Sequence, residues 1–266
     1  MRPQLKPDAE LVLIEFIRQK VEESHGNGVV VGLSGGVDSA LVTKLCVMAV
    51  GADKVSNLFL PSSTTPQVDR DHVKELAKQL GTKLTEIDIT PLVEAYEKTL
   101  PAMARKELKG NVMARVRMTV LYHYAKMNFH LVMGTGNKSE LLMGYFTKYG
   151  DGGCDYLPIG DLYKTEVWEL ARKLQLPDFV VDKIPSAGLW AGQTDEAEMG
   201  ITYNELDQVL LGMEQSLSPE EIVKRTGVKL SLVQMVMVKH LTSVHKRKMP
   251  LIPKIGLRTI GLDWRE

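Results

Sequence analysis

Residues 29–45 read VVVGLSGGVDSALVTKL, and the apolar run Val29–Leu33 that opens this stretch restricts the fold more than any other part of the chain. A run rich in β-branched valine that does not alternate with polar residues is a strand buried on both faces. Such a strand sits inside a sheet with helices above and below it. Residues 34–39, SGGVDS, then turn the chain, and Ser39–Val50 has the pattern of a helix.

The same alternation continues. Leu11, Ile14, Ile17 and Val21 recur at helical spacing, so Pro7–Ser24 is predicted to be a surface helix laid on the core. Val55–Leu60 and Lys83–Ile89 follow as strands with the helix Pro66–Leu80 between them. Strands that alternate with helices imply right-handed crossovers and a parallel sheet. A helical insertion, Pro91–Leu100 and then NVMARVRMTVLYHYAKMN at 111–128, precedes a strand at His130–Thr135. After a short helical turn beyond Ser139, residues 144–158 are too rich in glycine for a regular element. The aromatic residues Tyr145, Phe146, Tyr149 and Tyr156 argue that this loop is ordered. Helices are predicted at Lys164–Leu174, Tyr203–Leu211, Pro219–Arg225 and Ser231–Val244, before a tail with Pro250, Pro253 and Trp264. No internal repeat or linker is visible, so the 266 residues are read as one domain with a helical C-terminal part.

Composition narrows the function. Lys plus Arg and Asp plus Glu both total 33, which gives no net pull toward nucleic acid or an anionic membrane. No apolar run approaches the roughly 20 residues that span a bilayer, and the N-terminus lacks the apolar core of a signal peptide. The two cysteines, Cys46 and Cys154, are not spaced for zinc or for a redox pair, which fits a cytoplasmic setting.

The turn between strand and helix is where the chemistry gathers, because ligands of open α/β sheets bind at the carboxyl ends of the strands. From Gly32 and Leu33 through Ser34, Gly35, Gly36, Val37, Asp38 and Ser39, main-chain N–H groups, two hydroxyls and a helix N-terminus can surround an anion. Neither the Gly-Lys-Ser/Thr of a Walker loop nor three spaced glycines is present. Asp38 has two readings: an acid that stabilises the first turn of a helix, or a carboxylate ligand of Mg2+ beside a polyphosphate.

SGGVDS matches the Ser-Gly-Gly-x-Asp-Ser signature of the N-type ATP pyrophosphatases, the PP-loop enzymes. Together with NVMARVRM at 111–118, GTGNKSELLMGYFTKYGDGGCDYLP at 134–158, TDEAEMGITYNELD at 194–207 and HKR at 245–247, it makes the chain resemble the ammonia-dependent NAD synthetases. The resemblance implies a doubly wound parallel sheet of the adenine nucleotide alpha hydrolase-like, Rossmann-like kind, with helices on both faces. It implies that ATP adenylylates the nicotinate carboxylate of deamido-NAD, and that ammonia displaces AMP to give NAD.

By the same resemblance, Asp38 and Glu140 are Mg2+ ligands, and Thr135, Lys164 and Ser186 join the loop in binding ATP, with Asp38 and Lys164 catalytic. Ser186 stands where the family pattern has threonine. Arg115, Lys148, Asp155, His245 and Lys246 are implied for deamido-NAD, the last two closing the site of a neighbouring subunit in a homodimer. Read as bare residues, Glu140 is a solvated helix carboxylate, Arg115 an exposed helix charge, Lys164 an exposed helix start, and His245 with Lys246 a basic helix end. No amidohydrolase domain fits beside the synthetase fold, so free ammonia is the expected donor. A tRNA-modifying PP-loop enzyme and a non-catalytic nucleotide-binding module are the competing readings. The first calls for a basic RNA-binding surface or a cysteine pair, and the second for a decayed site.

Overall fold

Val29, Val30 and Val31 are fully buried, but they face two different cores. In the computed structural model, which describes residues 1–190 and 192–260, these valines lie in β1 (Gly28–Gly32), preceded by the helix α1 (Ala9–Glu23). Successive strand side chains point to opposite faces. Val29 and Val31 therefore pack with Ile14 and Ile17 of α1 and with Leu41 and Leu45 of α2 (Val37–Val50), while Val30 joins the opposite core. The uninterrupted valine run is thus explained by helices on both faces.

The chain continues through β2 (Val55–Phe59), α3 (Gln67–Leu80) and β3 (Lys83–Glu86). It then passes through α4 (Thr90–Thr99) and α5 (Lys106–Asn128) to β4 (His130–Met133). The four strands are all parallel in the order β3-β2-β1-β4. Strands are added on one side of β1 until β3, and the crossover through α4 and α5 brings β4 to the other side. That reversal opens a crevice between the carboxyl ends of β1 and β4, where a doubly wound sheet binds its ligand.

Expectation and structure differ at several elements, β3 and α5 among them. The third strand was predicted to reach Ile89, but its ladder ends at Glu86, although the Ile87 and Ile89 N–H groups still reach Phe59 O and Pro61 O at 2.9 Å. Pro61 has no N–H to return the next bond, so the pairing cannot close. The helix predicted from residue 111 begins at Lys106 and covers β1 and β4 with Met113 and Val116.

Beyond β4, the short α6 (Lys138–Met143), α7 (Lys164–Lys173), α8 (Asp178–Val181) and α9 (Asp195–Met199) precede α10 (Tyr203–Glu214). The last helices are α11 (Pro219–Thr226) and α12 (Leu230–Thr242), followed by a single 3-10 turn at Val244–Lys246. α10, α11 and α12 share a core of their own built on Leu206, Leu210, Ile222 and Val236. The glycine-rich loop is anchored, as its aromatic content suggested. Tyr156 forms a parallel bridge to Met133 and packs edge-on against Phe16. Of the expected tail, Pro250 and Pro253 are described, and Trp264 lies outside the described residues. No helix among the described residues is long and apolar enough to cross a membrane.

Candidate active site

The loop at the end of β1 is built to stay open. Gly35 is buried with φ +78°, a backbone conformation that favours glycine, and a Cβ there would also crowd Val73 Cγ2 at 3.1 Å. Ser39 Oγ lies 3.0 Å from Gly36 O, to which it donates, and 3.1 Å from Ser34 Oγ. Ser39 Oγ also accepts from Ser34 N, and Ser34 Oγ from Gly36 N. These bonds hold residues 34–39 in a ring at the N-terminus of α2, whose helical bonding starts at Gly36 O. Asp38 lies in that first turn.

The loop is joined to the end of β4 by one side chain. Asn137, fully buried, donates from Nδ2 to Asp38 Oδ1 at 2.9 Å and caps α6 by accepting from Glu140 N at 3.0 Å. Glu140 Oε2 returns a bond to Asn137 N at 3.1 Å, completing a capping box. Glu140 Oε1 is left facing the crevice, 3.9 Å from Lys164 Nζ and 3.5 Å from the Tyr203 hydroxyl. Asp38 and Glu140, 102 positions apart in sequence, are thus brought beside one ammonium.

That ammonium belongs to Lys164, which forms an ion pair with Asp38 Oδ2. Lys164 is 2% exposed, so the reading of it as a solvated helix start is wrong. It opens α7 at the level of the strand ends, pointing inward. Burial pulls its pKa down, but Asp38, Glu140 and Asp195 together more than offset this and leave it raised. Glu140 is pushed well above the usual carboxylate range, by burial first and by Asp38 second, with Lys164 acting against both. It is also no solvated carboxylate, being only 17% exposed. Asp195, raised mainly by burial, accepts from Tyr203 Oη at 3.1 Å and from Tyr145 Oη at 3.2 Å. With three carboxyl groups around one lysine, burial and Asp38 hold Glu140 toward its protonated form, and a divalent cation there would favour its ionised form instead. Among the described residues no set of three metal-ligating side chains occurs, so a cation here would draw its remaining oxygens from substrate or water.

A second group of expected residues gathers around the loop after α6. Arg115 Nε donates to Lys148 O at 3.4 Å, and Lys148 Nζ donates to His245 O at 2.8 Å. Lys246 Nζ donates to Gly144 O and Phe146 O at 2.7 and 2.8 Å, within the same chain. Arg247 meets the carbonyls of Leu141 and Leu142 in α6 and of His240 in α12, so the HKR segment joins two helix ends. Asp155 stands apart, with Oδ1 accepting from the Tyr122 hydroxyl at 3.0 Å and Oδ2 from Val132 N at 2.8 Å. Thr135 is half-buried in the turn after β4, and Ser186 is exposed, its Oγ accepting from Gly188 N. Cys154 packs on Gly134, where an added Cβ would lie 2.4 Å from its Sγ. Burial pushes its thiol up to about 11, which removes it as a nucleophile.

Sequence reasoning missed Asn137, Asp195, Tyr203 and Asp207 as parts of the site. The Asn-x-x-Glu spacing of Asn137 and Glu140 is a capping-box signal that could have found the first. Asp207, fully buried on α10, accepts from Ser139 Oγ and, at 2.8 Å, from Thr165 N. Ser139 Oγ in turn accepts from Lys164 N at 2.9 Å. One carboxylate therefore ties the starts of α6 and α7, and with them Glu140 and Lys164. Asp207→Asn would set an amide against the Thr165 N–H, and is expected to cost about 2 kcal/mol of stability and roughly tenfold in kcat. Urea unfolding and steady-state rates check this, and an unaltered kcat would contradict it.

The NAD synthase family model matches residues 11–250. The chain is 47% identical over 246 residues to the NH(3)-dependent NAD(+) synthetase of Methanosarcina acetivorans, covering 91% of this chain and 96% of that one. Among solved structures, it is similar to an NMN synthetase from Francisella tularensis, with TM-score 0.84, 36% identity and 95% and 100% of the two chains covered. It is also similar to the NH3-dependent NAD synthetase of Campylobacter jejuni, with TM-score 0.79, 34% identity and 93% and 98% covered. A loop of this kind above a lysine and two carboxylates, together with these likenesses over nearly the whole chain, settles the assignment: the chain belongs to the NAD synthase family, a ligase of the NH3-dependent kind that forms NAD by amidation.

Proposed function

We propose that the crevice between β1 and β4 adenylylates deamido-NAD and then admits ammonia to the activated carbonyl. The observation that carries this reading is the meeting of Asp38, Glu140 and Lys164 beneath the 34–39 loop. A carboxylate is a poor acyl electrophile because its oxygen does not leave. Attack of the nicotinate carboxylate on the α-phosphate of ATP expels pyrophosphate and makes that oxygen part of a phosphate leaving group. Ammonia then adds to the carbonyl, AMP departs, and the nicotinamide remains.

The chain's part is positioning and charge stabilisation. The N–H groups of residues 34–39 and the N-terminus of α2 receive the departing pyrophosphate, with the hydroxyls of Ser34 and Ser39 beside them, and Lys164 neutralises charge as the bond breaks. Thr135 and Ser186 complete the ATP contacts. Asp38 and Glu140 would hold Mg2+; their hard oxygens suit it, and the cation would offset the burial and repulsion that raise Glu140. When bound, the cation supplies Lewis-acid charge at the phosphates. Arg115, Lys148, Asp155, His245 and Lys246 bind deamido-NAD, the cations facing its phosphates. The enzyme acts as a cytoplasmic homodimer, with α5 as a candidate interface.

Free ammonia is the direct donor. Incubation with deamido-NAD, MgATP and ammonium is expected to yield NAD, AMP and pyrophosphate in equal amounts, whereas glutamine alone supports no NAD formation. Equal rates with the two donors would refute the ammonia assignment. A salt-sensitive tRNA complex would revive the RNA-modifying reading. Because one structural relative is called an NMN synthetase, the mononucleotide is the substrate to compare with deamido-NAD in the same assay.

A further inference from the structure

A second ammonium stands over the phosphate loop. A Cβ built on Gly35 would lie 3.9 Å from Lys183 Nζ and 3.9 Å from Asp69 O, so the rim of α3 and the segment after α8 together cover this glycine. Lys183 Nζ is held by Asp69 Oδ1 at 2.8 Å, and the two side chains keep 27% and 22% of their surface exposed. Asp69 belongs to the first turn of α3, and Lys183 stands just after α8, three residues before Ser186. On the other side of the loop, Asp38, Glu140 and Asp195 already claim Lys164. A polyphosphate entering the ring of residues 34–39 meets a cation committed to carboxylates on one side and, on the other, one tethered by a single, partly exposed ion pair.

We propose that Lys183 is a polyphosphate ligand of this site, parked on Asp69 until nucleotide arrives and transferred to the β- and γ-phosphoryl oxygens when the loop fills. The inference rests on the reading of residues 34–39 as the ATP-binding loop. A partly exposed Lys–Asp pair is weak, whereas a phosphoryl group offers more negative charge and more acceptor oxygens to the same flexible ammonium. The exchange needs rotation of one side chain only, because Gly35 leaves no side chain between the ammonium and the loop. Lys183 then remains on the pyrophosphate after the α–β bond is cut, so it affects both ATP capture and product release.

The test is inhibition by pyrophosphate, together with the KM for ATP, at saturating deamido-NAD in the unaltered enzyme and in Lys183→Met, Lys183→Arg and Asp69→Asn. Lys183→Met is expected to weaken pyrophosphate inhibition and raise the KM for ATP by about tenfold. The KM for deamido-NAD should stay within about twofold. Lys183→Arg keeps the cation and should recover most of the loss. Asp69→Asn removes the competing carboxylate, so pyrophosphate should bind as tightly as before or more tightly. If the pair merely pinned the segment, Lys183→Met and Asp69→Asn would weaken inhibition alike, and that result overturns the proposal. Unchanged inhibition in Lys183→Met overturns it alone, while absence of pyrophosphate inhibition in the unaltered enzyme overturns the ATP reading of the loop as well.

Discussion

Asp38→Asn is expected to lower kcat by roughly 10³-fold at saturating substrates while the protein stays folded. The asparagine carbonyl can still accept from Asn137 Nδ2, so the link between the loop and the end of β4 survives. What disappears is the charge that pairs with Lys164 and that the proposed Mg2+ requires. Glu140→Gln makes the complementary test. Its amide oxygen can retain the bond from Asn137 N, so the cap of α6 is preserved. Burial and Asp38 both disfavour the Glu140 charge, so the glutamine protein should melt no lower than the unaltered one. It should need at least about tenfold more Mg2+ for half-maximal rate. Formation of AMP and NAD against Mg2+ concentration reads both variants. Asp38→Asn with an unimpaired rate would remove the metal assignment.

The second large effect concerns Lys164. Lys164→Met keeps the length of the side chain but leaves Asp38 facing Glu140 and Asp195 without a buried cation. Breaking a buried ion pair from one side costs about 3–5 kcal/mol, and the lower end applies because Asp38 is 17% exposed and keeps its bond from Asn137. The rate should fall by roughly 10²- to 10³-fold, since the charge on the departing pyrophosphate loses its ammonium. A distinguishing sign lies in the metal. With Lys164 gone, Mg2+ is the remaining neutraliser of the acidic cluster, so its addition should raise the melting temperature of Lys164→Met more than that of the unaltered protein. Equal shifts would mean that the carboxylates do not share one cation site with the lysine.

Much of the architecture is legible locally. The valine run of β1 announces a doubly covered strand because burial on both faces removes all need for polar residues. The pattern of strands and helices implies a parallel sheet, and the glycines and serines at 34–39 mark a tight anion-binding turn. The motif blocks identify the family. Local pattern was less informative where backbone pairing decided the outcome, as at β3, which stops where Pro61 cannot return a hydrogen bond. α8 and α9, of four and five residues, are too short to show helical periodicity.

By itself, the sequence determined the layered α/β fold, the phosphate loop and the residue types available for the reaction, because each is written in short-range periodicity or in a contiguous motif. Only the tertiary structure decided that Lys164 is buried, that Glu140 splits its two oxygens between a helix cap and the crevice, and that Asp207 fastens both helices. These outcomes depend on the order β3-β2-β1-β4, which sets the ends of β1 and β4 side by side. Desolvation and charge pairing act between groups that the fold brings together, and groups 99 or 126 positions apart leave no periodic trace of that meeting in the chain.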